Sequence, residues 1–280
     1  MVRIITDSAA DFEPNELEEM QISCIPLKVL FGTEEYEENI NLSKPQFYDK
    51  MMETGAMPKT SQAAPQVLAD LFAEAKAAGD EAIYFTLSSA LSGTWQSAMF
   101  IREDVGYEGA YVVDTRNATG GQRMLVEHAV KLRDEGKSAA EIVAAVEELR
   151  GRIVLYACIN TLEYLYKGGR ISHLSYTLGT LAQIKPIIHV DHHGRVDIPA
   201  KAMGMRKGMD HLCKQADAKK PDPDFPLYVM YTDDRSVAET LAVRLAEHGH
   251  AIHEKHIIQV GAAIGSHIGP KACGLVYVGK

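Results

Sequence analysis

Short apolar runs alternate with polar turns and amphipathic segments through the first half of the chain. The apolar runs predict strands, and the segments between them carry apolar residues at helical spacing. Leu68, Leu71, Phe72 and Ala75, for example, form one apolar stripe. Three successive strand–loop–helix units predict a parallel sheet with helices on both faces. The predicted strands of this half are 2–6, 22–31, 82–87 and 110–113.

The pattern changes after residue 152. The turn Asp191-His192-His193-Gly194 separates two apolar runs and predicts a β-hairpin. We therefore expect an α/β protein of two domains, residues 1–152 with a parallel sheet and residues 153–280 with a mixed sheet. The predicted strands of the second domain are 153–158, 184–190, 196–200, 227–231, 256–260 and 275–278.

Residues 81–98 combine a buried strand, a turn rich in Ser and Gly, and a helix. Open α/β sheets build ligand sites at the carboxyl ends of their strands. Ser92 is predicted to cap the helix, and Gly93 allows a ligand to approach the backbone. The hydroxyls and the free N–H groups of the helix start suit a carboxylate or a phosphate. A hydroxyl-rich helix cap without a ligand is the alternative.

A second group of hydroxyl and amide side chains, Thr60, Ser61 and Gln62, precedes the helix that Pro65 begins. Like the turn at Ser92, it lies at the start of a predicted helix. Neither stretch contains a base. Both therefore favour binding of an anion over chemical attack on one.

Two further polar residues lie among glycines in the second half of the chain. Arg170 follows Gly168 and Gly169, and its guanidinium offers a fork of donors to an anion. A structural salt bridge is the alternative for this arginine. His267 lies in a predicted loop after Gly265, where a functional polar group is favoured over a packing role.

Composition excludes several classes of function. The chain of 280 residues is 46% hydrophobic and 24% charged, as in soluble globular proteins. Its formal charge of −9 argues against nucleic acid or an anionic membrane as the main partner. No apolar run approaches the roughly 20 residues that span a bilayer, and the N-terminus resembles a strand rather than a signal peptide. We expect a cytoplasmic protein without stable membrane insertion.

The cysteines and histidines form no recognisable metal or disulfide pattern. The four cysteines are widely spaced and include no CxxC pair. His192 and His193 lie on the predicted hairpin turn, where neighbouring side chains point to opposite faces, so we interpret them as exposed. We expect neither a metal nor a cofactor.

Seven stretches in order along the chain resemble the DegV family of bacterial fatty-acid-binding proteins. They cover essentially the full length, and together they are more specific than any one of them alone. These stretches are IITDSAADF, KTSQAAP, LSSALSGTWQSA, VVDTRNATGGQ, LEYLYKGGRIS, IKPIIHVD and IGSHIGPKACGLVYVG.

The resemblance implies two α/β domains with a tunnel that buries a long-chain fatty acid and holds its carboxylate at the domain junction. It implies that the carboxylate is bound by Ser/Thr hydroxyls, with an arginine and a histidine beside it, and that the protein presents the lipid to a separate fatty acid kinase without catalysing a reaction itself. The residues that match the family's site are Thr60 or Ser61, Ser92 with Gly93, Arg170 and His267.

The chain departs from the family pattern at Met203 and Met205. Members of the family commonly carry a run of the type Lys-x-Arg-x-Arg-Lys-Lys there, whereas this chain reads Lys-Ala-Met-Gly-Met-Arg-Lys from Lys201 to Lys207. If the run docks a kinase, we expect lipid binding to be intact and delivery to a kinase from another bacterium to be poor.

An enzyme is the rival interpretation. An acyl hydrolase would use Ser92 with His267 and Asp7, and a phosphotransferase would use the helix start as a phosphate cradle. Ala90 and Thr94 stand where the nucleophile elbow needs glycines, and a lysine-bearing phosphate loop is missing. The sequence therefore favours a non-catalytic carrier.

Overall fold

The computed structural model describes residues 1–177 and 183–280, and the first half of the chain builds a parallel sheet. Its strands lie in the order β2-β1-β6-β7, and every neighbouring pair is parallel. β1 lies centrally, so the chain moves to one side for β2 and to the other for β6 and β7. The strands are β1 (Val2–Asp7), β2 (Ile22–Ile25), β6 (Glu81–Thr86) and β7 (Ala110–Asp114).

Helices connect these strands, and their caps explain where several of them begin. Ser43 and Gln46 form a capping box, as do Ser138 and Glu141. Pro65 lies in the first turn of its helix, as predicted. The helices of this half are α1 (Pro14–Glu19), α2 (Lys44–Thr54), α3 (Pro65–Ala78), α4 (Thr94–Val105), α5 (Thr119–Asp134) and α6 (Ala139–Arg150).

The prediction of one strand over 22–31 is wrong. Pro26 lacks the N–H that would continue the ladder of β2, so the run breaks there. The second part becomes β3 (Lys28–Phe31), which pairs antiparallel with β4 (Glu34–Glu37) and β5 (Lys59–Ser61) in a small separate sheet. The acidic stretch after residue 33 thus contains a strand.

The second half forms the predicted mixed sheet, with strands in the order β10-β9-β8-β13-β11-β12. The predicted hairpin is confirmed: β9 and β10 pair antiparallel around a turn in which Asp191 accepts bonds from the N–H groups of His193 and Arg195. The strands are β8 (Ile153–Cys158), β9 (Ile184–Val190), β10 (Val196–Met203), β11 (Tyr228–Tyr231), β12 (Ile257–Gln259) and β13 (Cys273–Val278).

The loop predicted around His267 is in fact a helix, α11. Its N-terminal N–H groups are capped by carboxyl groups from the first half of the chain, which local sequence does not reveal. Gly269 ends the helix at φ 72°. The helices of this half are α7 (Glu163–Lys167), α8 (His173–Thr177), α9 (Gly204–Ala218), α10 (Arg235–Glu247) and α11 (Ala262–Ile268).

Helix α5 lies between the two sheets and joins their cores. Leu125 and Ala129 belong to a buried cluster that includes Phe85 of the parallel sheet and Leu155 and Val276 of the mixed sheet. The outer face of each sheet has its own apolar cluster, under α3 and α4 on one side and under α9 and α10 on the other. The division into two domains near residue 152 stays a prediction.

Among the helices in the described parts of the chain, none has the length and apolar character needed to cross a membrane.

Candidate functional site

A cavity of about 380 Å³ lies between the carboxyl edge of the parallel sheet and the mixed sheet. Most of its wall is apolar, and both halves of the chain contribute to it. Ligand sites of this size and lining hold the hydrocarbon part of a small molecule. Among the apolar wall residues are Leu27, Leu87 and Leu91 from the first half and Leu155, Leu165, Ile188, Val190, Met230, Val260 and Ile268 from the second.

Every residue predicted for the head-group site lines this cavity. The elements that carry them are distant in sequence: β5, the turn before α4, the turn after α7, and the last turn of α11. Because they line the same cavity, we treat them as one group, which we call the polar patch. Its residues are Thr60, Ser61, Ser92, Gly93, Arg170 and His267.

Thr60 and His267 form the centre of the polar patch. Thr60 Oγ1 lies 2.9 Å from His267 Nε2. Burial, and secondarily the charge of Arg170, lowers the pKa of His267 to about 4. The imidazole is therefore neutral at pH 7, with one nitrogen as donor and the other as acceptor.

Gly168 is needed for the position of this imidazole. A Cβ at Gly168 would lie 2.2 Å from His267 Nδ1 and 2.9 Å from the carbonyl oxygen of Tyr164. His267 Nδ1 is buried and has no hydrogen-bond partner among the described residues. The first glycine of the Gly168-Gly169 pair thus provides space, whereas the second provides a left-handed turn at φ 74°.

Arg170 is half-buried and serves as a charged donor rather than as half of a salt bridge. Its Nε donates to the carbonyl oxygen of Leu91 at 3.0 Å, and its Nη1 donates to that of Gly168. In the described residues no carboxylate lies within salt-bridge distance of it. Burial lowers the pKa of Arg170, but the group stays charged at pH 7. The bond to Leu91 places this charge beside Ser92.

The prediction that Ser92 caps α4 is wrong, because the N-cap position is Gly93. Ser92 Oγ instead accepts the N–H of Thr94 at 3.3 Å and lies 2.9 Å from Thr94 Oγ1. Gly93 leaves room for Gln62, whose Nε2 would lie 2.5 Å from a Cβ at that position. Gln62 also accepts a bond of 2.6 Å from Ser97 Oγ, so it fixes β5 against α4.

Of the two neighbouring hydroxyls on β5, Thr60 is the one that reaches His267. Successive side chains of a strand point to opposite faces. Thr60 is half-buried, whereas Ser61 is exposed. The geometry therefore favours Thr60 over Ser61 as a ligand of a buried carboxylate.

The catalytic triad of an acyl hydrolase is not formed. Asp7 is buried away from His267, and its carboxylate accepts bonds from the N–H of Leu87 at 2.9 Å and from Gln122 Nε2 at 2.9 Å. Within the described residues, Ser92 bonds to Thr94 and His267 bonds to Thr60. A serine activated by a histidine needs a direct contact between them.

The sequence analysis did not identify the two acidic side chains that hold α11. Asp11 Oδ1 accepts the N–H of Gly261 at 2.9 Å, and Glu38 Oε1 accepts that of Ala263 at 3.1 Å. Both carboxyl groups are buried, and burial raises the pKa of Asp11 to about 8 and that of Glu38 above its usual value. Glu38 is the last residue of an acidic run whose sequence predicts exposure to solvent. Only its burial in the structure distinguishes it from the other glutamates of that run.

Comparison with known proteins identifies the family. The family model of the uncharacterised DegV proteins matches residues 1–280. A DegV domain-containing protein of Clostridium perfringens is 34% identical over 99% of this chain and 97% of its own length. The structure is similar to a fatty-acid-binding DegV family protein from Thermus thermophilus, with a TM-score of 0.89, 29% identity and coverage of 100% and 99% of the two chains.

A second solved structure agrees with this result. The fatty-acid-binding protein DegV from Bacillus subtilis has a TM-score of 0.87 and 27% identity, again over 100% of this chain and 99% of its own. The α/β fold with one parallel and one mixed sheet is thus shared with these proteins. With the family model matched from end to end, this chain belongs to the DegV family.

Proposed function

We propose that this protein binds a long-chain fatty acid, with the acyl chain in the apolar cavity and the carboxylate at the polar patch. The observation that carries the proposal is that one largely apolar cavity is also lined by four polar groups. These are the hydroxyls of Thr60 and Ser92, the guanidinium of Arg170 and the imidazole of His267. Proteins of the same family and fold are named for fatty acid binding.

The energetics favour such a ligand. Burial of an acyl chain contributes about 0.8 kcal/mol per methylene, so roughly fifteen methylenes contribute about 12 kcal/mol before the costs of association. A carboxylate buried without partners would offset much of this gain. Arg170 has no carboxylate counterion among the described residues and is therefore suited to be the counterion of the ligand.

A neutral His267 fits a carboxylate that binds through hydrogen bonds rather than through a second ion pair. An imidazole that accepts the hydroxyl proton of Thr60 at Nε2 carries its own proton on Nδ1, and the other tautomer reverses these roles. In either tautomer, Thr60 and His267 orient one another. Both remain uncharged, which keeps the cost of desolvating the patch low.

We further propose that the protein is a non-catalytic carrier that presents its lipid to a separate fatty acid kinase in the cytoplasm. The candidate docking run is only partly exposed. Met203 is 55% exposed at the end of β10, whereas Met205 is half-buried with its Sδ 3.9 Å from the thiol of Cys273, a cavity residue. Of the two methionines that depart from the family pattern, Met203 is therefore the one available to a partner.

Mass spectrometry of lipid extracted from the purified protein tests the function. We expect about one equivalent of a long-chain fatty acid. A preparation that repeatedly contains no lipid and takes up none when incubated with oleate would reject the carrier function. Release of free acid from an added acyl ester would instead support a hydrolase.

A further inference from the structure

A second cavity of about 380 Å³ lies beside the hairpin. The loop after β7, the end of α6, the start of β8, the end of β9 with its turn, and the end of α9 form its wall. The buried side chain of Val190 lines both this cavity and the apolar one. The second cavity is largely polar, and the proposed binding of a fatty acid does not involve it.

Three cationic side chains, Arg116, Arg150 and Lys219, line the second cavity. The chain as a whole carries a formal charge of −9, so this cavity is more positive than the protein as a whole. Burial, and secondarily the nearby charge of Arg116, lowers the pKa of Arg150, as expected for two cationic groups close to each other. An anion between them would replace this repulsion by attraction.

The acidic residues of this wall already have partners within the protein. Glu147 pairs with Arg150 at 3.7 Å, and one carboxylate oxygen of Asp191 accepts the two N–H groups of the hairpin turn. Arg116 and Lys219 have no side-chain hydrogen bond or ion pair within residues 1–177 and 183–280. Their donors are therefore available to a ligand.

The backbone around Arg116 is held in place. Arg116 has φ 49°, an uncommon left-handed conformation for this residue type, and its N–H donates to Asp114 at 2.9 Å. Ser88 Oγ donates to the carbonyl oxygen of Gly194 at 2.8 Å, and a Cβ at Gly194 would lie 2.9 Å from Arg116 Cα. The loop and the hairpin thus fix one another, which favours a preformed site.

An aromatic pair completes the wall. The ring of His189 stacks on Tyr156 with centroids 4.3 Å apart, and His189 Nδ1 lies 2.8 Å from the carbonyl oxygen of Leu155. This bond fixes the ring, and Nε2 is its remaining polar atom. A fixed ring beside a few cationic side chains suits a site for a small polar ligand.

We propose that the second cavity binds a small phosphate-bearing anion, with the Arg116 guanidinium and the Lys219 ammonium as its direct ligands. Phosphate oxygens accept the parallel hydrogen bonds of a guanidinium, and lysine adds a point charge. Free phosphate and the phosphate group of a nucleotide share this chemistry. The proposal is independent of fatty acid binding.

Isothermal titration calorimetry of the full chain, with inorganic phosphate and AMP in separate experiments at constant ionic strength, tests the proposal. We expect saturable binding that Arg116→Gln and Lys219→Gln each weaken about tenfold or more, because each removes a charged hydrogen bond. Lys214→Gln is the matched control: it removes an exposed lysine from α9 outside this cavity and should leave the affinity unchanged. Tighter binding of AMP than of phosphate would identify a nucleotide as the ligand.

Two results would overturn the proposal. One is the absence of saturable binding of either probe at about 10 mM, a concentration that fills even a millimolar site. The other is an unchanged affinity in both the Arg116 and the Lys219 variants. If Arg116→Gln fails to fold, Lys219→Gln decides the question, since Lys219 is exposed. The fatty acid content of the same preparations should not change, so failure here is distinguishable from failure of the carrier function.

Discussion

The side chains of Thr60 and His267 are joined by a hydrogen bond of 2.9 Å, although 207 residues separate them in sequence. One lies on an edge strand of the small sheet and the other on the last turn of α11. Their bond therefore depends on the position of α11 relative to the first half of the chain. Asp11 and Glu38 hold α11 in that position by accepting hydrogen bonds from the N–H groups at its N-terminus.

The first prediction concerns the hydroxyls of the polar patch. We expect Thr60→Ala and Ser92→Ala each to weaken fatty acid binding by about 1–3 kcal/mol, because a charged ligand group loses one hydrogen bond. Binding of a fluorescent fatty acid measures the change. Thr240→Ala, which removes an exposed hydroxyl on α10, should have no effect. Wild-type affinity in both patch variants would mean that the carboxylate lies elsewhere.

The second prediction concerns the space beside His267. A methyl group at position 168 would lie 2.2 Å from His267 Nδ1, so we expect Gly168→Ala to displace the imidazole and to lower the free energy of unfolding by about 1–3 kcal/mol. Fatty acid affinity should fall as well. Chemical denaturation and ligand titration measure the two effects.

The control for this variant is Gly151→Ala. Gly151 also follows a helix at negative φ, and its added Cβ would make an ordinary contact at 3.6 Å with the carbonyl oxygen of Glu148. Its stability and affinity should match the wild type. Equal behaviour of the Gly168 and Gly151 variants would contradict the close packing at His267.

The third prediction is a dependence of stability on pH that arises from Asp11. Burial raises the pKa of this carboxyl group from 3.8 to about 8, so the folded protein holds the proton more tightly than the unfolded chain. The stability gained from it is complete below about pH 4 and is lost as the pH rises through 8. Asp7, with a pKa raised to about 6, acts in the same direction at lower pH.

Urea unfolding between pH 6.5 and 8.5 measures this dependence, and comparison of the wild type with Asp11→Asn isolates the contribution of Asp11 from that of the other groups that titrate in this range. We expect the free energy of unfolding to fall by about 1–2 kcal/mol over this interval in the wild type. Asp11→Asn, which keeps an oxygen for the N–H of Gly261, should flatten the dependence. Asp104→Asn, at an exposed position, should retain it. An identical slope in the Asp11 variant would refute the assignment.

The fourth prediction separates lipid binding from delivery to a kinase. Because Met203 is exposed, we expect Met203→Arg to raise acyl phosphate formation by a fatty acid kinase from another bacterium while fatty acid affinity stays the same. Met205→Arg should instead lower stability, since Met205 packs against Cys273 and a charge there would be partly buried. Efficient phosphorylation with the unmodified protein would show that the docking surface lies elsewhere.

Local sequence determined much of the fold because the apolar periodicities and caps act over short distances. The strand and helix around Ser92 and the hairpin at Asp191 lie where the sequence predicts them. The predicted strand 22–31 failed because a single proline outweighs a continuous apolar run.

The sequence by itself also identified the residue types suited to an anion, and the resemblance to a family selected among them. Tertiary structure alone decided their partners. It placed Thr60 rather than Ser61 toward His267, gave Arg170 two carbonyl oxygens instead of a carboxylate, and made Gly168 a spacer for the imidazole. These outcomes depend on the packing of segments that are far apart in the chain, and burial then sets the charge state of each group.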